Sequence, residues 1–197
     1  MYMATKRAQT VAPRKPFRWT RAHLAYFPDD GNRYEVLDGQ LFVTPQASVP
    51  HQWISNALIT ALREYCTTHG LGVPLGPGAV VFEDNELQPD VLVVPKLTGP
   101  VPEKWEELPL PHLVVEVLSR TTRRRDLVLK REAYLTLGIK GYWVVDRFER
   151  CAHIWTQGSD EPQVITDIIR WQPLSAIPAL EIPLARVFDS LAAPQDD

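Results

Sequence analysis

The stretch LVVEVLS, residues 113–119, is apolar from Leu113 to Leu118 except at Glu116. Short, Val-rich and preceded by Pro111, it has the pattern of a strand buried on both faces. An ionised carboxylate in such a place needs a cation, a metal ion or a position at the end of the sheet. The same anomaly occurs once upstream, in QPDVLVVP, where Asp90 opens another apolar strand. Two carboxylates on neighbouring strands can converge on one sheet edge, and oxygen donors of that kind suit a hard cation such as Mg²⁺. Taken alone, an Asp at a strand start is also a common turn residue, and both readings of Asp90 stand.

Downstream of the run, Thr121 or Thr122 is placed to cap a helix through about Leu137, which Gly138 stops. GYWVVD (141–146) and CAHIWT (151–156) read as strands around the polar turn 147–150. A further strand is expected at 163–167, with short apolar pieces between 179 and 188. Upstream, a Pro-rich connection over 95–111 separates the run from strand-like segments at 73–75, 79–82 and 87–94, the last two joined by a turn at 83–86. Residues 48–69 carry Trp53, Ile54, Ala57, Leu58, Ala61, Leu62 and Tyr65 at helical spacing, with Gly70 as the stop. Before that helix, RYEVLDGQLFVTP alternates around Asp38 and Gly39, a hairpin signal with strands at 33–37 and 40–44. Thr20 is placed to cap a short helix through Phe27. These elements predict an α+β fold with an α/β-type mixed sheet, in which an N-terminal β-hairpin precedes helices packed on one sheet.

The 197 residues suffice for a single domain, expected over 20–190 between a basic arm at 1–19 and a tail at 191–197. Apolar content of 45% with 23% charged residues is that of an ordinary globular protein. No run nears the roughly 18 uncharged apolar residues of a membrane span, and no signal-peptide core opens the chain, so a cytoplasmic protein without membrane contact is expected. Cys66 and Cys151 lack zinc-finger or CxxC spacing and are expected as reduced, buried thiols. Lys6, Arg7, Arg14, Lys15, Arg18 and Arg21 precede residue 22 without an acid among them, so the net charge of -3 leaves about -9 on the rest. The arm either touches phosphates or is a solubilising end.

In the helix after the run, Asp126, Lys130 and Tyr134 are spaced i, i+4, i+8 and share a face. Lys130 either reaches back over the strand ends or forms a solvent-facing pair with Asp126, worth about 0.2–0.5 kcal/mol. Arg123, Arg124 and Arg125 follow the Glu116 strand directly, although positive charge is unfavourable at a helix N-terminus. A phosphate-binding patch is one reading of the three, a solvated helix start the other. His51, at the start of the long helix, is a substrate contact or an ordinary polar residue of a first turn.

PD at 89–90, EVL at 116–118 and D-x3-K-x3-Y at 126–134, in that order, resemble the PD-(D/E)XK restriction-endonuclease-like superfamily and its bacterial Uma-type branch. The resemblance covers about residues 20–190, through RYEVLDGQL (33–41), TPQASVPHQWISNAL (44–58), GYWVVD and PALEIPLARVF (178–188). It implies a restriction-endonuclease-like core, a central mixed sheet flanked by helices with a metal site at one edge. Asp90 and Glu116 match that site's metal ligands, with Mg²⁺ as the implied ion and Mn²⁺ as a substitute. Leu118 stands where the superfamily usually keeps its lysine; in the Uma-type pattern the lysine moves to the following helix, here Lys130, with Asp126 and Tyr134 in support. Glu35 matches a further acidic position that completes such a site, against the alternative of an exposed hairpin residue.

The function so implied is a Mg²⁺-dependent, cytoplasmic, homodimeric endonuclease that hydrolyses phosphodiester bonds in DNA, with Lys130 near the scissile phosphate. The alternative is a catalytically inactive nucleic-acid-binding or protein-interaction domain that retains the fold. Acidity beyond residue 22 argues against a general DNA binder with a broad basic face.

Overall fold

Both residues of the first hairpin turn, Asp38 (φ 51°) and Gly39 (φ 81°), take the left-handed conformation that a two-residue connection requires. They join β1 (Arg33–Leu37) to β2 (Gln40–Thr44) in antiparallel register, after a 3-10 turn at Arg21–Tyr26. This computed structural model describes residues 17–189, so the tail and all of the expected basic arm except 17–19 lie outside the described residues. Arg18 and Arg21 are bound into the fold, Arg18 donating to Asp38 O and Arg21 pairing with Glu106.

Helix α1 (Val49–His69) buries Ile54, Leu58, Leu62, Tyr65 and Cys66, the apolar stripe its sequence announced. Gly70 (φ 63°) ends it, and Leu71 N–H closes back on Cys66 O. Strands β3 (Gly72–Leu75), β4 (Val80–Phe82), β5 (Asn85–Leu87), β6 (Val91–Pro95) and β7 (Leu113–Val117) follow. A π-helical segment at Arg125–Lys130 then runs into α2 (Arg131–Thr136). The chain finishes with β8 (Gly141–Asp146), β9 (Cys151–Thr156), β10 (Gln163–Ile165), β11 (Ile168–Trp171), β12 (Leu180–Pro183) and α3 (Leu184–Asp189).

The central sheet is mixed, in the order β10-β9-β8-β7-β6-β3, with β7 and β8 parallel and the other pairs antiparallel. The crossover that a parallel pair demands is the π-helical segment with α2. One face, through Val115, Val117, Val91 and Trp143, packs against α1 and α3. The other, through Val114, Leu118, Leu92 and Val144, packs against Tyr134 of α2 and residues of the β1 hairpin, β4 and β5.

Three local expectations are corrected. The chain forms three sheets, since β2-β1-β5-β4 and β11-β12 stand apart from the central one. Residues 87–94 are not one strand: Pro89 has no N–H, and Gln88 N–H goes to the Glu35 carboxylate, so the chain leaves one sheet and enters another there. The expected strand at 163–167 is β10, stopping at Ile165, and the unforeseen β11 begins at Ile168 to pair with β12.

Candidate active site

Asp90 and Glu116 meet because β6 and β7 are antiparallel and the register Val91 opposite Val115 continues to that pair. Directly opposed residues share a face, so both carboxyls join Leu92, Val114 and Leu118 on the α2 side. Asp90 is 5% exposed and fully partnered: Arg33 Nη1 donates to Oδ1 at 2.7 Å, Val117 N–H to Oδ2 at 2.8 Å, and His51 Nε2 lies 3.0 Å from Oδ2. Burial alone would raise its pKa, but the His51 contact, Arg33 and the Val117 N–H hold it down at about 2.

Glu116, 2% exposed, is in the opposite condition. Lys130 Nζ reaches Oε1 at 2.8 Å, yet burial, with Asp90, Asp126 and Glu35 close by, pushes the carboxyl up to about 8. Lys130 is shared, since its Nζ is also 2.6 Å from Glu35 Oε1. Glu35 is not an exposed hairpin residue: it is 0% exposed, accepts from Gln88 N–H at 2.8 Å, and has Arg125 Nη1 3.3 Å from Oε2. Burial pushes Glu35 up, and Lys130 and Arg125 outweigh it, so this carboxyl stays below its ordinary range. Nor is the Asp126–Lys130 pair solvent-facing, as both residues are buried. Burial raises the Asp126 carboxyl against the pull of Lys130 and Arg125. Tyr134 and Tyr142 close the pocket, with hydroxyls donating to Glu116 Oε1 at 3.5 Å and to Asp126 O at 2.8 Å.

Asp90, Glu116 and Asp126 line a cleft of about 290 Å³ together with Arg33, His51 and Arg147. Lys130, at 0% exposure, lies beneath the cleft and does not line it. The three arginines of the run are dispersed. Arg125 turns inward to Thr44 Oγ1 and Glu35, Arg123 pairs with Asp146, and only Arg124 is exposed with no ion pair among the described residues. Arg120 and Arg147, which the sequence did not single out, line the cleft, and both stack on Phe148.

This donor set fits a divalent cation. Four buried carboxyls, from Glu35, Asp90, Glu116 and Asp126, face three permanent cations, from Arg33, Arg125 and Lys130. The deficit falls on Glu116, which is why it holds a proton so firmly. Both hydrogen bonds to its side chain land on Oε1, leaving Oε2 without one. A metal ion bound between Asp90 and Glu116 would be held by oxygen donors alone, the preference of Mg²⁺.

Arg33 escaped notice because an Arg opening an exposed-looking hairpin carries no local signal; only the approach of β1 to the start of β6 makes it a partner of Asp90. Arg125 was legible only as part of a basic run, and its inward turn comes from the π-helical segment.

Comparison with known proteins bears on this geometry. A search of curated proteins finds no match. Among solved structures, the crystal structure of "a putative nuclease belonging to DUF820" from Anabaena variabilis is similar at 16% sequence identity and a TM-score of 0.72. The similarity covers 86% of this chain and 97% of that one, a likeness of fold. The family model of Uma2, described as "Putative restriction endonuclease", matches residues 21–185. With that match running from the first 3-10 turn to α3, the chain belongs to the Uma2 family of restriction-endonuclease-like proteins.

Proposed function

We propose that the protein is a divalent-metal-dependent endonuclease that hydrolyses phosphodiester bonds in DNA, with Asp90 and Glu116 holding Mg²⁺. The observation that carries this reading is the opposed Asp90–Glu116 pair in the cleft, where Glu116 lacks a full positive partner. Bound there, Mg²⁺ supplies charge neutralisation and an activated water.

The protein's own residues do the remaining work. Arg33, His51 and the Val117 N–H keep Asp90 ionised and fix its carboxylate plane. Lys130 holds Glu116 by one oxygen from below, which makes it a positioning residue acting through Glu116 rather than a contact of the scissile phosphate. Glu35 and Arg125 in turn hold Lys130 and complete the charge balance beneath the cleft. Arg120 and Arg147 at the cleft wall, with exposed Arg124 nearby in sequence, supply the cations that a phosphate backbone requires.

Purified protein is expected to nick supercoiled plasmid with Mg²⁺ or Mn²⁺ and to be inert in chelator. Asp90→Asn and Glu116→Gln are each expected to lower the rate by roughly 100-fold or more. DNA that is retarded on a gel but never cut with either ion would replace this reading with the non-catalytic binding domain.

A further inference from the structure

Beside the carboxylate cleft, three side chains that the nuclease reading does not use come together at the open end of the β8/β9 hairpin. Asp146 pairs with Cys151 and Val144 with His153 across the two strands. Alternation therefore sets Asp146, Cys151 and His153 on one face, the face of Glu116, since Val144 is also the β7 partner of Glu116. One ligand atom from each lies within 4.8 Å of the other two, and among the described residues this is the one group of three or more His, Cys, Asp or Glu side chains that converges so.

Cys151 Sγ and His153 Nε2 stand 3.7 Å apart. Bonds of about 2.3 Å to sulfur and about 2.0–2.1 Å to nitrogen, at a tetrahedral angle, place such a pair roughly 3.5 Å apart. The two donors thus already span an edge of a zinc tetrahedron. Asp146 is anchored for a third position, with Oδ1 accepting from the Phe148 and Glu149 N–H groups at 2.9 and 3.1 Å and Oδ2 from Arg123. Burial keeps the His153 ring neutral, with a lone pair to give. Cys151 forms no disulfide, and the other thiol, Cys66, sits in the α1 core.

We propose that Asp146, Cys151 and His153 form a second metal site, for a thiophilic divalent ion of the Zn²⁺ class, separate from the carboxylate centre. On binding, the Cys151 thiol releases its proton to solvent as the metal–sulfur bond forms. Asp146 Oδ2 exchanges Arg123, whose side chain is 48% exposed, for the ion. Water takes the fourth position. Mg²⁺ does not compete, because a thiolate and an imidazole are poor ligands for a hard ion.

The test is a titration of the full chain with Co²⁺ as a spectroscopic stand-in for Zn²⁺. One equivalent is expected to bind with thiolate-to-cobalt charge-transfer absorption, displaced by Zn²⁺ and untouched by excess Mg²⁺. Cys151→Ser abolishes that band, and His153→Gln, at a half-buried position, weakens binding by roughly tenfold or more. Cys66→Ser and Glu116→Gln leave it in place, so a failed nuclease assay leaves this result standing. Near-UV circular dichroism checks that each variant is folded. The proposal falls if the band survives Cys151→Ser, disappears in Cys66→Ser, or never forms while Co²⁺ binds through Glu116.

Discussion

Glu116 and Asp90 are chemically alike and set opposite one another, yet their surroundings drive them apart. Asp90 owns Arg33, while Glu116 must share Lys130 with Glu35. The pH dependence of stability follows from the signs. Raised from 4.5 to about 8, Glu116 contributes stability that is complete below its unfolded pKa and is lost as the pH climbs through about 8. Asp90, lowered from 3.8 to about 2, contributes stability above its unfolded pKa that is lost only as the pH falls toward 2. Between pH 5 and pH 8.5 the metal-free protein is therefore expected to lose stability relative to Glu116→Gln by at least about 1.4 kcal/mol, the equivalent of one pKa unit. Thermal unfolding of both proteins across that range checks it, and a constant difference would remove the charge deficit from the account. Lys130→Met carries a second expectation. It leaves Glu35 and Glu116 buried without their shared cation, which should cost about 3–5 kcal/mol at pH 8 by denaturant unfolding. The cost should shrink at pH 5, where both carboxyls can take up protons instead.

The π-helical segment is the element that turns a run of charged residues inward. Its wider turn lets Arg125, Asp126 and Lys130 all be buried within six residues, and Tyr134 of α2 continues the same side. Deleting Val128, which is 43% exposed, should restore an ordinary α-helix and rotate everything beyond it by about 100°, carrying Lys130 and Tyr134 away from Glu116. The deletion is expected to abolish plasmid nicking and lower the melting temperature, while Val128→Ala is expected to do neither. An active deletion variant would show that the segment's winding does not matter. This element also marks where sequence reading loses its grip. The first hairpin, α1 and β7 were legible because each satisfies its own backbone and shows one clear period. A π-turn leaves the i, i+4 spacing of Asp126 and Lys130 unchanged, and so it is invisible until the helix is seen packed. The break at Gln88–Asp90 hides for a similar reason, as it depends on Gln88 N–H finding Glu35 rather than on anything local. Asp90 and Glu116 could be picked out because an acid in an apolar strand is costly wherever the strand goes. Arg33, Arg120 and Arg147 could not, because arginines are common on surfaces and only tertiary register brings these to the cleft.

At the scale of the whole molecule the three sheets build a single carboxylate cleft, and none of the described helices is long and apolar enough to cross a membrane. One cleft attacks one strand of a duplex, and the two strands run in opposite directions. A chain of this design cuts both strands at once only as a two-fold pair, whose symmetry presents the second cleft with the reverse polarity. We therefore expect light scattering to give twice the chain mass and wild-type protein to yield linear plasmid directly. Mixed dimers of wild-type and Glu116→Gln chains should instead stop at the nicked circle, because one cleft of each pair is disabled. A chain of single mass that only nicks would remove the dimer and leave the metal cleft as the working unit, since Asp90, Glu116, Asp126 and the buried charges beneath them all come from one chain.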